Sequence, residues 1–223
     1  MGGARTTLNQ SVGSEVQRIG KLLALEDDLS SIEQVLVGRP ECVQYAEGRR
    51  QLATATFAAS VGLYNLAYAG LRIFLELSFA AAFFSAHELE RRQWLADRAD
   101  FSWSRAIDPD TGVLSKSFVR EFTPIAADEA VDARNVAKRV YRECSQHLHG
   151  KAIATESMPK QIEFDSQALS VWLELADDAA QSVLFLLYSR YGGDYLPSSP
   201  IFAQIAEARL AHLLSVQQYL GMI

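Results

Sequence analysis

The sequence predicts an all-α fold, a helical bundle with long central helices preceded by short N-terminal helices. Hydrophobic residues recur at three- and four-residue spacing along most of the chain, and no stretch sustains the alternation of a half-buried strand. The 223 residues are 49% hydrophobic and 22% charged, an ordinary composition for a globular domain with one sizeable core. We therefore expect one helical domain over most of the chain.

The N-terminal region divides into two predicted parts. Residues 1–12 are rich in Gly, Ser, Thr and Asn, and this composition predicts a disordered segment. Residues 13–40 are predicted to form two short helices, the first over Val16 to Leu25 and the second over Ile32 to Val37. Gly38-Arg39-Pro40 should end the second helix, and a single helical domain should then fill residues 41–223.

The central region, from about Cys42 to Asp97, contains few helix breakers and predicts one or two long helices. The apolar run from Phe57 to Phe84 is long enough to cross a bilayer. Arg72 and Glu76 interrupt its centre at i,i+4 spacing, where they can form an ion pair. Such a pair is costly in lipid, so a core helix without a membrane partner is the better interpretation.

Residues 98–127 have a different, aromatic-rich composition and are predicted to be an insertion in the helical domain. A strong turn is expected at 108–112 and a short helix from Val113 to Phe122. The aromatic side chains, Trp103 among them, are expected to cover the core. A platform for stacking bases would interleave them with basic residues.

Three further helices are predicted in the last hundred residues. The first runs from Asp128 to His149 and is followed by a connector over residues 151–161. The second runs from about Gln167 to Arg190, with Gly192 and Gly193 as its expected stop. Pro200 then introduces a final helix from Ile201 to Leu220.

The helix over residues 128–149 is amphipathic and has one polar stripe. At about 100° per residue, His149 returns to within roughly 20° of Arg142. The apolar face comprises Ala133, Val136, Ala137, Val140, Cys144 and Leu148. His147 lies about 140° from Arg142, so it is predicted to be a core or interface histidine with a satisfied hydrogen bond. Gly150 should end the helix in the left-handed conformation, placing His149 at the negative end of the helix dipole, which favours the protonated imidazole.

Arg142-x6-His149 resembles the Arg-x(4–6)-His signature of HEPN domains, all-helical modules that dimerise and often cleave RNA. The fuller pattern Tyr-Arg-Glu-x-Ser-x-x-x-His-Gly is similar to a bacterial HEPN-like branch, and Leu71-Arg72-x-x-Leu75-Glu76 is similar to the partner helix of such folds. Arg142-x4-His147 fits the same loose spacing, but the helical wheel favours His149. The resemblance covers about residues 50–190.

The resemblance implies a metal-independent endoribonuclease that needs no cofactor and acts as a toxin or phage-defence effector. A homodimer would present two copies of the motif helix across one cleft, with RNA as the substrate. Arg142 would hold the scissile phosphate, and His149 would be the general acid or base. Supporting roles are expected for Arg72, Glu76, Glu143, Ser145 and His147, and RNA backbone contacts for Asn135, Lys138 and Arg139.

An alternative is a non-catalytic HEPN-like module that serves in dimerisation, sensing or as an antitoxin, with a partner protein from the same operon. The net charge of −6 provides no global attraction for nucleic acid. Glu143 also stands where active members usually carry Asn, Asp or His. In the simplest non-functional interpretation, Arg142 pairs with Glu143 or Glu76 and His149 caps its own helix.

The sequence favours neither a metal site nor an N-terminal signal peptide. Cys144, His147 and His149 point in different directions on one helix and lack a fourth partner, so no metal site is predicted. The N-terminal residues carry no apolar core of a signal peptide, and a cytoplasmic location is the simplest expectation.

Overall fold

The structure, a computed structural model, describes residues 2–149, 151, 156 and 158–222. All regular structure in this part of the chain is helical, with ten α-helices, one 3-10 turn and no strand, which confirms the all-α prediction. The helices are α1 (Gly2–Val35), α2 (Cys42–Ser60), α3 (Tyr64–Phe84), α4 (Glu88–Leu95), α5 (Trp103–Ala106), α6 (Lys116–Phe122), α7 (Ala130–Leu148), α8 (Ser166–Tyr195), α9 (Pro200–Leu210) and α10 (Leu214–Tyr219), with the 3-10 turn at Pro124–Ala126.

Helix α3 lies at the centre of the bundle. It forms a hairpin with α2 and packs against both α7 and α8. The α2–α3 contact is close because Gly70 faces Ala55, where an added Cβ would lie only 2.9 Å from the alanine Cβ. By length and composition α3 is the one described helix that could cross a membrane, and 67% of its most apolar window is buried inside the fold. That burial is typical of the core helix of a bundle.

The expected disorder of residues 1–12 is wrong for the described residues 2–12, which belong to α1. The two short helices predicted in residues 13–40 are likewise one helix, with a kink at Glu15. Thr7 and Ser11 are buried, and they lie about three and two turns before Ile19, where the apolar part of the buried stripe begins. Small polar side chains thus form the packing face, and composition alone did not reveal a helix there.

The predicted stop at Gly192 and Gly193 is also wrong, because α8 continues through both glycines to Tyr195. An added Cβ on Gly193 would overlap the carbonyl oxygen of Phe122 at the end of α6. The Gly193 N–H donates to Thr123 Oγ1 at 3.0 Å. These glycines therefore permit a close approach between backbones and do not interrupt the helix.

The remaining boundaries depend on local turns. Gly62, with a φ of +83°, separates α2 from α3, so the long central region contains two helices followed by the short α4. The predicted final helix divides into α9 and α10. Helix α8 begins where the side chain of Asp165 accepts a hydrogen bond from the Ala168 N–H at 2.8 Å. The expected left-handed stop at Gly150 lies outside the described residues, as does most of residues 152–157 in the connector.

Candidate functional site

Helix α7 has the two faces that the helical wheel predicts. The buried face comprises Ala137, Val140 and Cys144, which are fully buried, with Ala133 and Val136 partly buried beside them. Leu148, which the wheel places on the apolar face, is 42% exposed. The polar stripe is exposed along its whole length and consists of Asn135, Lys138, Arg139, Arg142 and His149.

The arginines of α7 differ in their partners. Arg139 Nη2 donates to Asp178 Oδ2 of α8 at 2.6 Å, and its Nη1 lies 3.8 Å from Glu143 Oε1. The hydrogen bond to Asp178 raises the pKa of Arg139. Arg134 donates to a backbone carbonyl oxygen in the turn at residues 108–112. Arg142 has no hydrogen bond or ion pair with any residue that the structure describes, so pairing with Glu143 or Glu76 is not observed.

The carboxylate of Glu76 is engaged by Arg72 and Tyr141. Arg72 Nη2 lies 3.1 Å from Glu76 Oε1 and donates to the Tyr141 hydroxyl oxygen at 2.6 Å. The Tyr141 hydroxyl in turn donates to Glu76 Oε1 at 2.8 Å. Burial, followed by the bond to Glu76, raises the pKa of Tyr141. The predicted pairing of Arg72 with Glu76 therefore exists and links α3 to α7.

Tyr141 is the residue that sequence reasoning missed as a member of this network. Its ring stacks on Trp103 of α5 with centroids 4.1 Å apart and planes 8° apart, and the Arg72 guanidinium lies 4.7 Å from its centroid. Tyr141 immediately precedes Arg142 in the quoted pattern, so the signal was present in the sequence. The network fixes the α7 backbone one residue before Arg142.

His147 packs against the core, as its position on the wheel predicts. Its imidazole is half-buried and stacks on the Tyr68 ring of α3, with centroids 3.7 Å apart. The Nδ1 atom is buried without a hydrogen-bond partner among the described residues, so the expected satisfied hydrogen bond is not found. Burial lowers the pKa of His147. A half-buried imidazole stacked in this way is poorly placed to reach a large polymeric substrate.

His149 lies at the C-terminal end of α7, one residue after the last helical residue, and its side chain is exposed. Its backbone N–H donates to the Ser145 carbonyl oxygen at 3.1 Å. The Ser145 hydroxyl donates to the Tyr141 carbonyl oxygen at 2.7 Å, so Ser145 contributes to the helix and not to the exposed stripe. Arg142 and His149 are thus two turns apart on one accessible face.

No group of three or more His, Cys, Asp or Glu residues in the described part of the chain is arranged to hold a metal ion. The exposed stripe presents the guanidinium of Arg142 and the imidazole of His149, together with the amine of Lys138 and the amide of Asn135. No protein-family model, curated protein or solved structure matches this chain.

Proposed function

We propose that the protein is a HEPN-like, metal-independent endoribonuclease in which Arg142 binds the scissile phosphate and His149 acts as general acid or base. The observation that supports this proposal is that the arginines near the site differ in whether they have an ion-pair partner. Arg72 and Arg139 are held in ion pairs, whereas Arg142 is exposed and has no partner among the described residues. An exposed guanidinium without a partner is available for bidentate binding of a phosphate.

The proposed reaction is an internal transesterification of RNA. A base removes the proton from the ribose 2′-hydroxyl, the oxygen attacks the adjacent phosphorus, and an acid protonates the departing 5′-oxygen. Arg142 would stabilise the negative charge that develops on the non-bridging phosphate oxygens. His149 carries an exposed imidazole that can serve as the base or the acid, while Lys138 and Asn135 lie along the same stripe to contact the RNA backbone.

A homodimer would complete this site, because one exposed histidine cannot be base and acid in the same step. Leu66 and Ile73 lie seven residues apart on one face of α3 and are 54% and 38% exposed. Leu148 is exposed on the adjacent α7, next to the His147–Tyr68 stack. Burial of these side chains between two copies would bring the two α7 stripes together.

The direct test is cleavage of tRNA and total RNA by the purified protein in the presence of a metal chelator. Arg142→Ala and His149→Ala should each reduce the rate by at least about 100-fold, while their unfolding free energies stay within about 0.5 kcal/mol of the wild-type value. Arg98→Ala, which removes an exposed arginine far along the chain from α7, is the matched control and should retain full activity. Toxicity on expression should disappear in the His149→Ala strain.

Other outcomes would contradict specific parts of the proposal. A well-folded, inactive His147→Ala protein beside an active His149→Ala protein would assign the catalytic role to the shorter Arg-x4-His spacing. A strictly monomeric mass by light scattering at micromolar concentration would contradict the composite dimeric site. Intact RNA after incubation with the wild-type protein, including when a presumed activator or phage infection is supplied, would contradict the nuclease.

A non-catalytic dimerisation, sensor or antitoxin module is the second candidate, and two observations favour it. The net charge of −6 works against RNA binding, and Glu143 places a carboxylate beside the stripe, where it offsets part of the charge of Arg139. A stable dimer that cleaves no RNA and co-purifies with a protein from the same operon would establish this function.

A further inference from the structure

The positively charged side chains on the outer side of α7 differ in their partners. Arg139 is paired with Asp178 at 2.6 Å, and Arg134 donates to a backbone carbonyl oxygen at 3.2 Å. Lys138 is exposed and, like Arg142, has no hydrogen bond or ion pair with any residue that the structure describes. Lys138 and Arg142 are thus both available to an anion.

Lys138 and Arg142 lie four residues apart on one face of α7, about 6 Å along the helix axis. Two like charges at this spacing repel each other and destabilise a helix. The net charge of the chain is −6, yet no carboxylate in the described part of the chain pairs with either side chain. An anion bound between the two side chains would remove the repulsion.

We propose that Lys138 binds the phosphate next to the scissile one, so that one RNA strand lies along the axis of α7 and is held at two successive phosphates. This inference rests on the proposed function, in which Arg142 binds the scissile phosphate. Successive phosphates of one strand are joined by a single ribose, so a lysine and an arginine separated by one helical turn can reach both. The lysine binds its phosphate as a point charge, whereas the arginine can bind in a bidentate manner.

The order of side chains along the exposed stripe gives the position of this second phosphate. His149 lies seven residues after Arg142, and Lys138 lies four residues before it. Lys138 is therefore on the side of Arg142 that faces away from the proton-transfer group, and it contacts the strand without touching the reacting atoms. A phosphate contact of this kind sets the register and orientation of the strand and carries no information about base sequence.

The test uses two oligonucleotides of 2′-O-methyl RNA, which lack the attacking hydroxyl and cannot be cleaved by the proposed reaction. Without terminal phosphates, the dinucleotide has one phosphate and the trinucleotide has two. Binding to the full-length protein is measured by NMR titration. Lys138→Gln should weaken trinucleotide binding about threefold to fivefold, as expected for one exposed ion pair, and dinucleotide binding less than about twofold, because a single phosphate binds to the arginine. Arg142→Ala should weaken the binding of both oligonucleotides.

Two further variants separate a phosphate contact from a general effect of charge. Lys138→Arg keeps the positive charge and should retain the trinucleotide affinity within about twofold. Lys21→Gln removes an exposed lysine from α1 and should leave both affinities unchanged. For a longer strand, Lys138→Gln should reduce the slope of log affinity against log salt concentration by about 0.7 for each Lys138 in contact. Its melting temperature should not fall, because the repulsion from Arg142 is removed.

Equal trinucleotide affinities of Lys138→Gln and the wild-type protein would overturn the proposal. An equal loss for both oligonucleotides, or the same loss in Lys21→Gln, would also overturn it, since general charge would then explain the effect. No binding of the trinucleotide to the wild-type protein at millimolar concentration would have the same consequence. If the affinities change as expected but unmodified RNA is not cleaved, the second phosphate site stands and the proposed nuclease activity fails.

Discussion

Replacement of Gly193 by alanine tests the close packing of α8 against the end of α6. An alanine Cβ at this position would lie closer than 3.0 Å to the carbonyl oxygen of Phe122, a separation that Cβ atoms essentially never show. The obstructing atom belongs to the backbone, so no side-chain rotation can relieve the overlap. The two segments must separate, and the hydrogen bond from the Gly193 N–H to Thr123 Oγ1 is weakened as they do.

The expected loss of stability combines two opposing effects. Overpacking against backbone should cost about 3 kcal/mol, the upper end of the usual range for such changes. Alanine is a better helix former than glycine and returns up to about 1 kcal/mol. The net loss of about 2 kcal/mol should lower the melting temperature by about 4–8 °C in a chain of this length.

Gly20→Ala is the matched control for this measurement. Gly20 also lies within a helix, α1, but it is exposed, and an added Cβ there would meet no atom within 4 Å. Because Gly20→Ala improves helix propensity without overpacking, its melting temperature should be about 1–4 °C above that of the wild-type protein. Thermal denaturation followed by far-ultraviolet circular dichroism is sufficient for both variants. Equal stability of Gly193→Ala and Gly20→Ala would show that Gly193 is not a packing contact between α6 and α8.

Two further predictions concern side chains on the inner face of α7. His147→Ala should lower the melting temperature by about 2–6 °C through loss of the stack on Tyr68, which is worth about 1 kcal/mol or more. Because burial lowers the pKa of His147, the unfolded chain takes up a proton there more readily, so wild-type stability should fall as the pH drops through about 6.5. The free energy of unfolding, measured by chemical denaturation between about pH 7.5 and about pH 5.5, should fall less steeply with pH in His147→Ala than in the wild-type protein. An equal fall in both proteins would exclude this role of His147. Burial raises the pKa of the Cys144 thiol to about 12, so a thiol reagent at about pH 8 should leave it unmodified in the native protein and label it only after unfolding. Labelling of Cys144 at the rate of the half-buried Cys42 would contradict its burial.

The helical class and the two faces of α7 could be predicted from the sequence because both depend on periodicity within one segment. Every third or fourth residue of α7 meets the core, whatever the identity of the neighbouring helices. The prediction that Arg142 and His149 share an exposed face with Lys138 followed from the same rule, and the structure places all three there.

Segment boundaries were less predictable where glycines and small polar residues have tertiary roles. Gly62 and Gly193 are the same residue type, yet Gly62 has a positive φ and ends a helix, whereas Gly193 remains helical and accommodates a neighbouring backbone. Thr7 and Ser11 are polar and yet form part of a buried face. Only the element packed against such a residue decides which role it has.

The sequence by itself determined that this protein is helical and that α7 carries an exposed arginine and histidine two turns apart. The tertiary structure decided that Arg142, unlike Arg139 and Arg72, has no ion-pair partner among the described residues. Arg139 meets Asp178, which is 39 residues away along the chain, and Arg72 meets Tyr141, which is 69 residues away. It also created a cavity between the first half of α7, the middle of α8 and the turn that follows α9, from segments that share no local pattern. Helical periodicity is a local property of the backbone, whereas ion pairs and cavities arise only when distant segments meet.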